Sequence, residues 1–201
     1  MPRLVLVTGG TRGIGAGIAR ALKNAGYRVV VNYHSADDVA ESFTAASGIP
    51  VFKWDVSDFT ACRAGVDEVR NSHGPVNILI NNAGTVADSK FENMDAAQWH
   101  RVLRVNLDSV FHMSQQVYPD MMAQKWGRIV NITSVAVKEP VDGLILSNSI
   151  RAAVTGFAKT LANEVAGAGV TVNNVMPGFT MTDRLESLAN SRAEQANSHS
   201  K

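Results

Sequence analysis

Six short apolar runs, separated by longer segments with helical periodicity, constrain the fold of this chain more than any other feature. The runs are rich in β-branched residues and read RLVLVT, YRVVVNY, IPVFKWDV, VNILINNAG, GRIVNITS and GVTVNNVMP. Strands that are apolar on both faces and alternate with helices form parallel sheets that helices cover on both sides. The sequence therefore predicts an α/β fold, a doubly wound parallel sheet with helices on both faces.

Local signals predict the boundaries of the first two helices. Apolar residues recur at three- and four-residue spacing from Ile14 to Ala25, and Gly26 then marks the helix end. Ser35 and Asp38 have the spacing of a capping box, which predicts the start of the second helix at this point.

Length and charge exclude several classes of protein. A chain of 201 residues fits one domain with a single core, and a net charge of +1 offers no basic field for nucleic acid. No apolar run approaches the roughly 20 residues of a membrane span. The N-terminal run is too short for a signal peptide, and a single Cys62 gives no disulfide framework. We expect a cytoplasmic protein that neither associates with a membrane nor binds a metal ion.

A glycine-rich segment, TGGTRGIG, follows the first predicted strand and precedes the first helix. Its glycines allow a tight turn and a close backbone approach, and the helix N-terminus presents free N–H groups to an anion. The segment predicts a loop that binds the pyrophosphate of a dinucleotide. A glycine turn without a ligand is the alternative. The predicted cofactor-binding residues here are Gly9, Thr11, Arg12, Gly13, Ile14 and Gly15.

Four further motifs follow in order along the chain: NNAG at Asn81, VNL at Val105, GRIVNITS at Gly127 and MPG at Met176. Together with the glycine segment, they make the sequence resemble a short-chain dehydrogenase/reductase. Its first two thirds are most similar to acetoacetyl-CoA reductases and 3-oxoacyl-ACP reductases. The resemblance implies a Rossmann fold and a nicotinamide cofactor.

The resemblance also implies positions for the rest of that cofactor. Residues after the third, fourth and sixth strands would contact the adenine, the ribose and the nicotinamide, respectively: Asp55 and Val56; Asn82, Ala83 and Gly84; Pro177, Gly178 and Thr180. Each alone is common as a helix cap or a turn, but their joint occurrence favours the cofactor.

The end of the second strand indicates which nicotinamide is used. Tyr33 occupies the position where an acidic residue would bind the ribose 2′-hydroxyl of NAD. Arg12, with His34 and Ser35 nearby, offers groups that pair with a 2′-phosphate. NADP(H) is therefore the predicted cofactor, although Arg12 alone could be a solvated loop charge.

The catalytic positions match the family only in part. The resemblance implies that Ser134 polarises the substrate carbonyl and that Asn106 holds a water in the proton relay. The family's proton-donating Tyr and its Lys are replaced here by Ser147 and Arg151. The sequence offers no other candidate, because its three tyrosines all precede Ser134.

These replacements change the chemistry. An aliphatic hydroxyl is a far weaker acid than a phenol, and arginine cannot give up its proton as lysine can. Lys138 is a candidate donor, since a desolvated lysine beside Arg151 would have a lowered pKa. A merely solvated surface lysine is the alternative.

Three functions stay open at this point. The first is an NADP(H)-dependent reductase of a small ketone, such as the 3-oxoacyl thioester acetoacetyl-CoA. The second is a catalytically impaired NADP(H)-binding protein, a sensor or a partner subunit, and the third is a truncated chain with little activity. We expect a cofactor domain over 1–187 that lacks the family's usual last helix and strand, and a polar tail over 188–201. Helices around 95–124 and 147–168 would pair in a homodimer.

Overall fold

The computed structural model describes residues 2–87, 91–178 and 180–181. Within these ranges, strands and helices alternate along the chain. The strands are β1 (Leu4–Val7), β2 (Arg28–Tyr33), β3 (Val51–Lys53), β4 (Ile78–Asn81), β5 (Gly127–Ile132) and β6 (Val170–Val175). The helices are α1 (Gly13–Asn24), α2 (Asp37–Ser47), α3 (Phe59–His73), α4 (Ala96–Leu103), α5 (Ser109–Ala123) and α6 (Ile145–Val165).

All six strands run parallel, in the order β3-β2-β1-β4-β5-β6. This is the strand order of the doubly wound Rossmann sheet. Chain connections leave β1 and β4, its two central strands, toward opposite sides, so a crevice opens between their carboxyl ends. The predicted fold is confirmed, and β6 lies at one end of the sheet.

Alternate residues of the central strands fill two separate cores, one on each side of the sheet, rather than the single core expected from the chain length. Leu4 and Leu6 of β1 pack into a cluster with buried residues of α3, α5 and α6. Val5 and Val7 point the other way, into a cluster with buried residues of α1 and α2. Successive side chains of a strand face opposite sides of the sheet, and both sides of β1 are covered. This double burial explains why the strand sequences are continuously apolar.

One predicted helix boundary is confirmed and one is wrong. The helix α1 ends before Gly26, whose φ of +86° is the left-handed conformation that glycine readily adopts. The predicted capping box of Ser35 and Asp38 does not form, because Ala36 occupies the N-cap position and no side chain caps the helix. The acidic residues of the first turn instead interact favourably with the positive end of the α2 dipole.

The proposed tail over 188–201 lies outside the described residues. Among the helices that the structure does describe, none is long and apolar enough to cross a membrane.

Candidate active site

The glycine loop is tied to the loop after β4 by a side chain from each. The Thr8 hydroxyl accepts hydrogen bonds from the N–H groups of Asn82 and Ala83, both at 3.0 Å, and donates to the Ile80 carbonyl at 3.3 Å. The Asn82 amide in turn donates to the carbonyls of Thr8 at 2.9 Å and Gly9 at 3.0 Å. These bonds make the carboxyl ends of β1 and β4 one rigid unit.

Two glycines of this loop are required by its geometry. Gly13, the first residue of α1, has a φ of +53°, which disfavours any residue with a Cβ. Gly15 is buried, and a Cβ there would overlap the Gly9 carbonyl oxygen and the Asn82 amide. Glycine at these two positions therefore lets the loop backbone approach both a ligand and the helix α1 closely.

The N-terminus of α1 fits an anionic group. Its N-cap, Arg12, is exposed and makes no side-chain capping bond, and the first turn contains no acidic residue. The first N–H groups of a helix have no intrahelical acceptor, and the helix dipole places partial positive charge there. The loop thus has the free donors and the open backbone that a pyrophosphate requires.

A buried asparagine joins the second strand to this loop. Asn32 is 1% exposed and its side chain donates to the Trp54 carbonyl at 2.9 Å. The backbone N–H of Gly9 donates to the Asn32 side chain at 3.4 Å, and that of Gly10 donates to the Asn32 carbonyl at 3.0 Å. The sequence analysis missed this residue. Its signal is a polar side chain in an otherwise apolar strand, since buried polar groups require partners.

Two polar pairs lie where β2 and β3 end. The Lys53 ammonium donates to the Asp37 carboxylate at 2.8 Å, and His34 lies 3.7 Å from the Asp55 carboxylate. The pKa of Tyr33 is raised, first by its partial burial and then by its hydrogen bond to Asp37. The Tyr33 side chain is therefore part of the lysine and aspartate network rather than a free group.

Asp55 keeps its charge. Partial burial opposes its ionisation, but hydrogen bonds from Ser57 and electrostatic interactions with His34 and Arg104 outweigh that effect and lower the Asp55 pKa. Val56 beside it is buried in the core, so only its backbone is available to a ligand.

Asn106 holds the loop after β4 from the opposite side. It lies in a π-helical turn, Arg104–Asp108, between α4 and α5, and it is 3% exposed. Its amide accepts from the Thr85 N–H at 2.7 Å and donates to the Thr85 carbonyl at 2.8 Å. Single π turns inside helices occur frequently at functional sites.

Ser134 and Arg151 approach the same crevice. Ser134 follows β5, is half-buried, and its hydroxyl accepts from the Ala136 N–H at 3.2 Å. The Arg151 guanidinium extends from α6 and donates to the Ile132 carbonyl at the end of β5 at 2.9 Å. A Cβ built on Gly84 would lie 3.1 Å from both Arg151 Nη2 and Asn106 Oδ1. The structure thus brings Arg151 beside Asn106 and the loop that Asn106 holds.

A model of the short chain dehydrogenase family matches residues 3–193. This chain is a member of the short-chain dehydrogenase family. It is 43% identical over 188 residues to the acetoacetyl-CoA reductase of Paracoccus denitrificans and 44% identical to that of Rhizobium meliloti, covering 94% of this chain and 78% of each relative. It is 36% identical to a 3-oxoacyl-[acyl-carrier-protein] reductase of Staphylococcus aureus, covering 97% of this chain and 81% of that protein. The resemblance inferred from the motifs is confirmed.

Apart from Tyr33, the last residue of β2, the residues predicted to hold the cofactor lie in the segments that follow β1, β2, β3, β4 and β6 along the chain. Gly15 and Val56 are buried there. The others are exposed or partly exposed: Gly9, Thr11, Arg12, Gly13, Ile14, Tyr33, His34, Ser35, Asp55, Asn82, Ala83, Gly84, Pro177, Gly178 and Thr180. The loop after β6 is anchored by a bond from the Val135 N–H to the Pro177 carbonyl at 3.2 Å.

Lys138 lies in a different environment from the one predicted. It is exposed, and with Glu139 it lines an open cavity of about 480 Å³ next to Ser134, whose other walls are Val135, Pro140, Val141 and Met176. The desolvation invoked for its side chain is therefore absent. Ser147 is half-buried on α6, one turn before Arg151 and on the same helix face.

Proposed function

We propose that this chain is an NADP(H)-dependent reductase of a small ketone, with a 3-oxoacyl thioester such as acetoacetyl-CoA as its substrate. The observation that carries the proposal is the pair of hydrogen bonds between Thr8 and Asn82, which joins the glycine loop to the loop after β4. The joined loops border the same crevice as Ser134, Asn106 and Arg151. The relatives named as acetoacetyl-CoA reductases support the choice of substrate. The proposed cofactor domain spans 1–187.

In this proposal, the glycine loop and the first N–H groups of α1 hold the pyrophosphate, and Asp55 with the Val56 backbone borders the adenine. Arg12, His34 and Ser35 surround the ribose phosphate that distinguishes NADP from NAD. The Asp37 carboxylate near this point is paired with Lys53, which reduces its repulsion of a phosphate. NADP(H) is favoured for this reason.

The bound cofactor supplies the hydride, and the chain must stabilise the alkoxide that develops on the carbonyl oxygen. The Ser134 hydroxyl donates a hydrogen bond to that oxygen. The fixed positive charge of Arg151 lowers the energy of the developing anion, as oriented charges do in sites of this kind. Since Arg151 keeps its proton, the proton comes from Lys138 at the cavity or from a water held by Ser147.

A second candidate is a catalytically impaired NADP(H)-binding protein that serves as a sensor or a partner subunit. The observation that favours it is Arg151, whose guanidinium donates to the Ile132 carbonyl and thereby takes a structural role. In this candidate, the missing phenol of the family removes general acid catalysis, which usually raises the rate by about 10² to 10⁴. Positioning of the reactants still supplies a larger part of the barrier reduction, about 7 to 11 kcal/mol, which favours the reductase.

The test is the oxidation of NADPH by the purified protein in the presence of acetoacetyl-CoA, followed by absorbance. The matched control is Ser134→Ala, a change that leaves the glycine loop intact. The reductase predicts thioester-dependent oxidation that falls in the control. Binding of NADPH without reduction of any 3-oxoacyl thioester would move the assignment to the second candidate.

A homodimer remains part of the proposal. Phe111 and Tyr118 lie two turns apart on α5 and are 46% and 37% exposed, so they form an apolar stripe that a second copy of the chain can cover. Analytical ultracentrifugation tests this at micromolar concentration. A single monomeric species would contradict it.

A further inference from the structure

We propose that Asn148 is a positioning residue that makes the cavity next to Ser134 selective for short acyl chains. Its side chain fixes Val141, and with it the last part of the segment that lines this cavity. The inference rests on the proposed function, because it concerns the acyl chain of a 3-oxoacyl substrate.

The first part of the lining segment is fixed by its own backbone. The Val135 carbonyl accepts from the N–H groups of Lys138 at 2.9 Å and Glu139 at 3.3 Å. The Val135 N–H in turn donates to the Pro177 carbonyl at 3.2 Å. This part of the cavity wall is therefore tied to the end of β5 and to the loop after β6.

The last two lining residues of the segment, Pro140 and Val141, depend on a side chain instead. Pro140 has no N–H to donate. The Val141 N–H donates to the Asn148 amide oxygen at 3.4 Å, and the Asn148 amide nitrogen donates to the Val141 carbonyl at 2.9 Å. The Asn148 side chain thus satisfies both backbone groups of Val141.

Burial contributes little to holding this part of the wall. Pro140 and Asp142 are exposed, and Val141 between them is 37% exposed. Segments with little buried apolar surface open locally at a low cost in free energy. The bonds to Asn148 therefore determine how firmly Val141 stays at the cavity.

The position of Asn148 connects the wall to the residues proposed for proton transfer. Asn148 lies on α6, where it follows Ser147 directly and precedes Arg151 by three residues. Because all three belong to one helix, the bonds to Val141 fix the wall relative to Ser147 and Arg151. An acyl chain that contacts the wall is thereby placed relative to both.

The wall is apolar at this point, since Pro140 and Val141 line the cavity together with Met176. In the proposed reaction, the ketone carbon held at Ser134 carries an alkyl group that enters this cavity, and in acetoacetyl-CoA the group is a methyl. One methylene in an apolar pocket changes kcat/KM by about 10- to 200-fold. A fixed wall can impose that difference, whereas a wall that moves cannot.

The experiment compares kcat/KM for acetoacetyl-CoA and for 3-oxohexanoyl-CoA, both followed by NADPH oxidation. We expect the intact protein to favour acetoacetyl-CoA by at least about tenfold. Asn148→Ala removes both bonds and should reduce this preference by about tenfold. The change should appear in the KM for acetoacetyl-CoA more than in kcat, because Ser134 is untouched.

A second variant separates the hydrogen bond from packing. Asn148→Asp keeps the volume of the side chain but removes the donor of the 2.9 Å bond, so it should have the same effect as Asn148→Ala. The ratio of kcat/KM for two substrates does not depend on the fraction of folded protein. A loss of stability alone would therefore leave the preference unchanged.

The matched control is Ser149→Ala, a change at the next residue of α6, which is exposed. It should keep the preference of the intact protein. No preference for acetoacetyl-CoA in the intact protein, an unchanged preference in both Asn148 variants, or an equal loss in the control would overturn this inference and leave the proposed function intact. Failure of the intact protein to oxidise NADPH with either thioester would count against the proposed function itself.

Limited proteolysis tests the anchor without turnover. Trypsin cleaves after lysine, and Lys138 is exposed in the segment that Asn148 anchors. We expect cleavage after Lys138, identified by the masses of the fragments, to be about fivefold faster in both Asn148 variants, the effect of losing one net hydrogen bond. Equal cleavage rates in the intact protein and in these variants would overturn the inference, whether or not the protein is an active reductase.

Discussion

The glycine loop and helix α6 border the same crevice, but different kinds of contact hold them in place. Around the glycine loop, Thr8, Asn32 and Asn82 connect the ends of β1, β2, β3 and β4 by hydrogen bonds to backbone groups. On α6, the positions proposed for proton transfer hold Ser147 and Arg151, and the Arg151 guanidinium donates to a strand carbonyl. The proposed cofactor side is thus held by bonds to the backbone, whereas the proposed proton-transfer side depends on two side chains of α6.

The largest expected effect comes from restoring the family's pair on α6. We expect Ser147→Tyr with Arg151→Lys to increase the rate of ketone reduction by about 10² to 10⁴, the usual contribution of general acid catalysis. The measurement is steady-state NADPH oxidation with acetoacetyl-CoA. Adding Ser134→Ala to the double variant should remove the gain. An unchanged rate in a double variant that binds NADPH would show that the two sides of the crevice are not independent.

Damage to the cofactor side should come next in size. In Gly15→Val the new side chain meets the Gly9 carbonyl and the Asn82 amide, and overpacking of this kind costs about 1 to 3 kcal/mol. We expect a lower melting temperature and weaker NADPH binding. Gly17→Ala is the matched control, because its Cβ meets nothing within 4 Å and alanine favours a helix over glycine. Equal melting temperatures for the two variants would contradict the packing argument.

A subtler change tests the hydrogen bonds alone. Thr8→Val keeps the shape of the side chain but leaves the N–H groups of Asn82 and Ala83 without their acceptor. The expected loss in the free energy of unfolding is about 1 to 3 kcal/mol, measured by chemical denaturation. Thr160→Val, on the exposed surface of α6, should change it by less than about 0.5 kcal/mol. A Thr8 variant as stable as the control would mean that these bonds do not define the loop.

The smallest effect should appear at Arg12, which is exposed and acts only on the cofactor's phosphate. We expect Arg12→Ala to weaken NADPH binding by about tenfold, the cost of one charged hydrogen bond, with NADH binding nearly unchanged. Arg63→Ala, an exposed arginine on α3, serves as the control. Equal losses for NADPH and NADH would remove Arg12 from the phosphate site.

The sequence predicted the sheet and the end of α1 because those depend on local patterns. Continuous apolar runs require burial on both faces, and Gly26 adopts the backbone conformation that ends a helix. The predicted start of α2 was wrong by one position, since Ala36 rather than Ser35 occupies the N-cap. A cap depends on a single backbone conformation that the spacing of side chains does not determine.

The roles of Thr8, Asn32 and Thr85 could not be predicted, because their partners are distant in the sequence. The bond from the Ala83 N–H to Thr8 joins residues 75 positions apart. The position of Arg151 beside Asn106 also depends on how α6 packs against the sheet. The exposure of Lys138 depends on the loop after β5, for which the sequence contains no periodic signal.

We infer that the cofactor side of this crevice is complete even though the proton-transfer side is altered. The most direct measurement is a fluorescence titration of the intact protein with NADPH and with NADH, which needs no turnover. We expect saturable binding of both, with NADPH bound more tightly. No saturable binding of either nucleotide would contradict it.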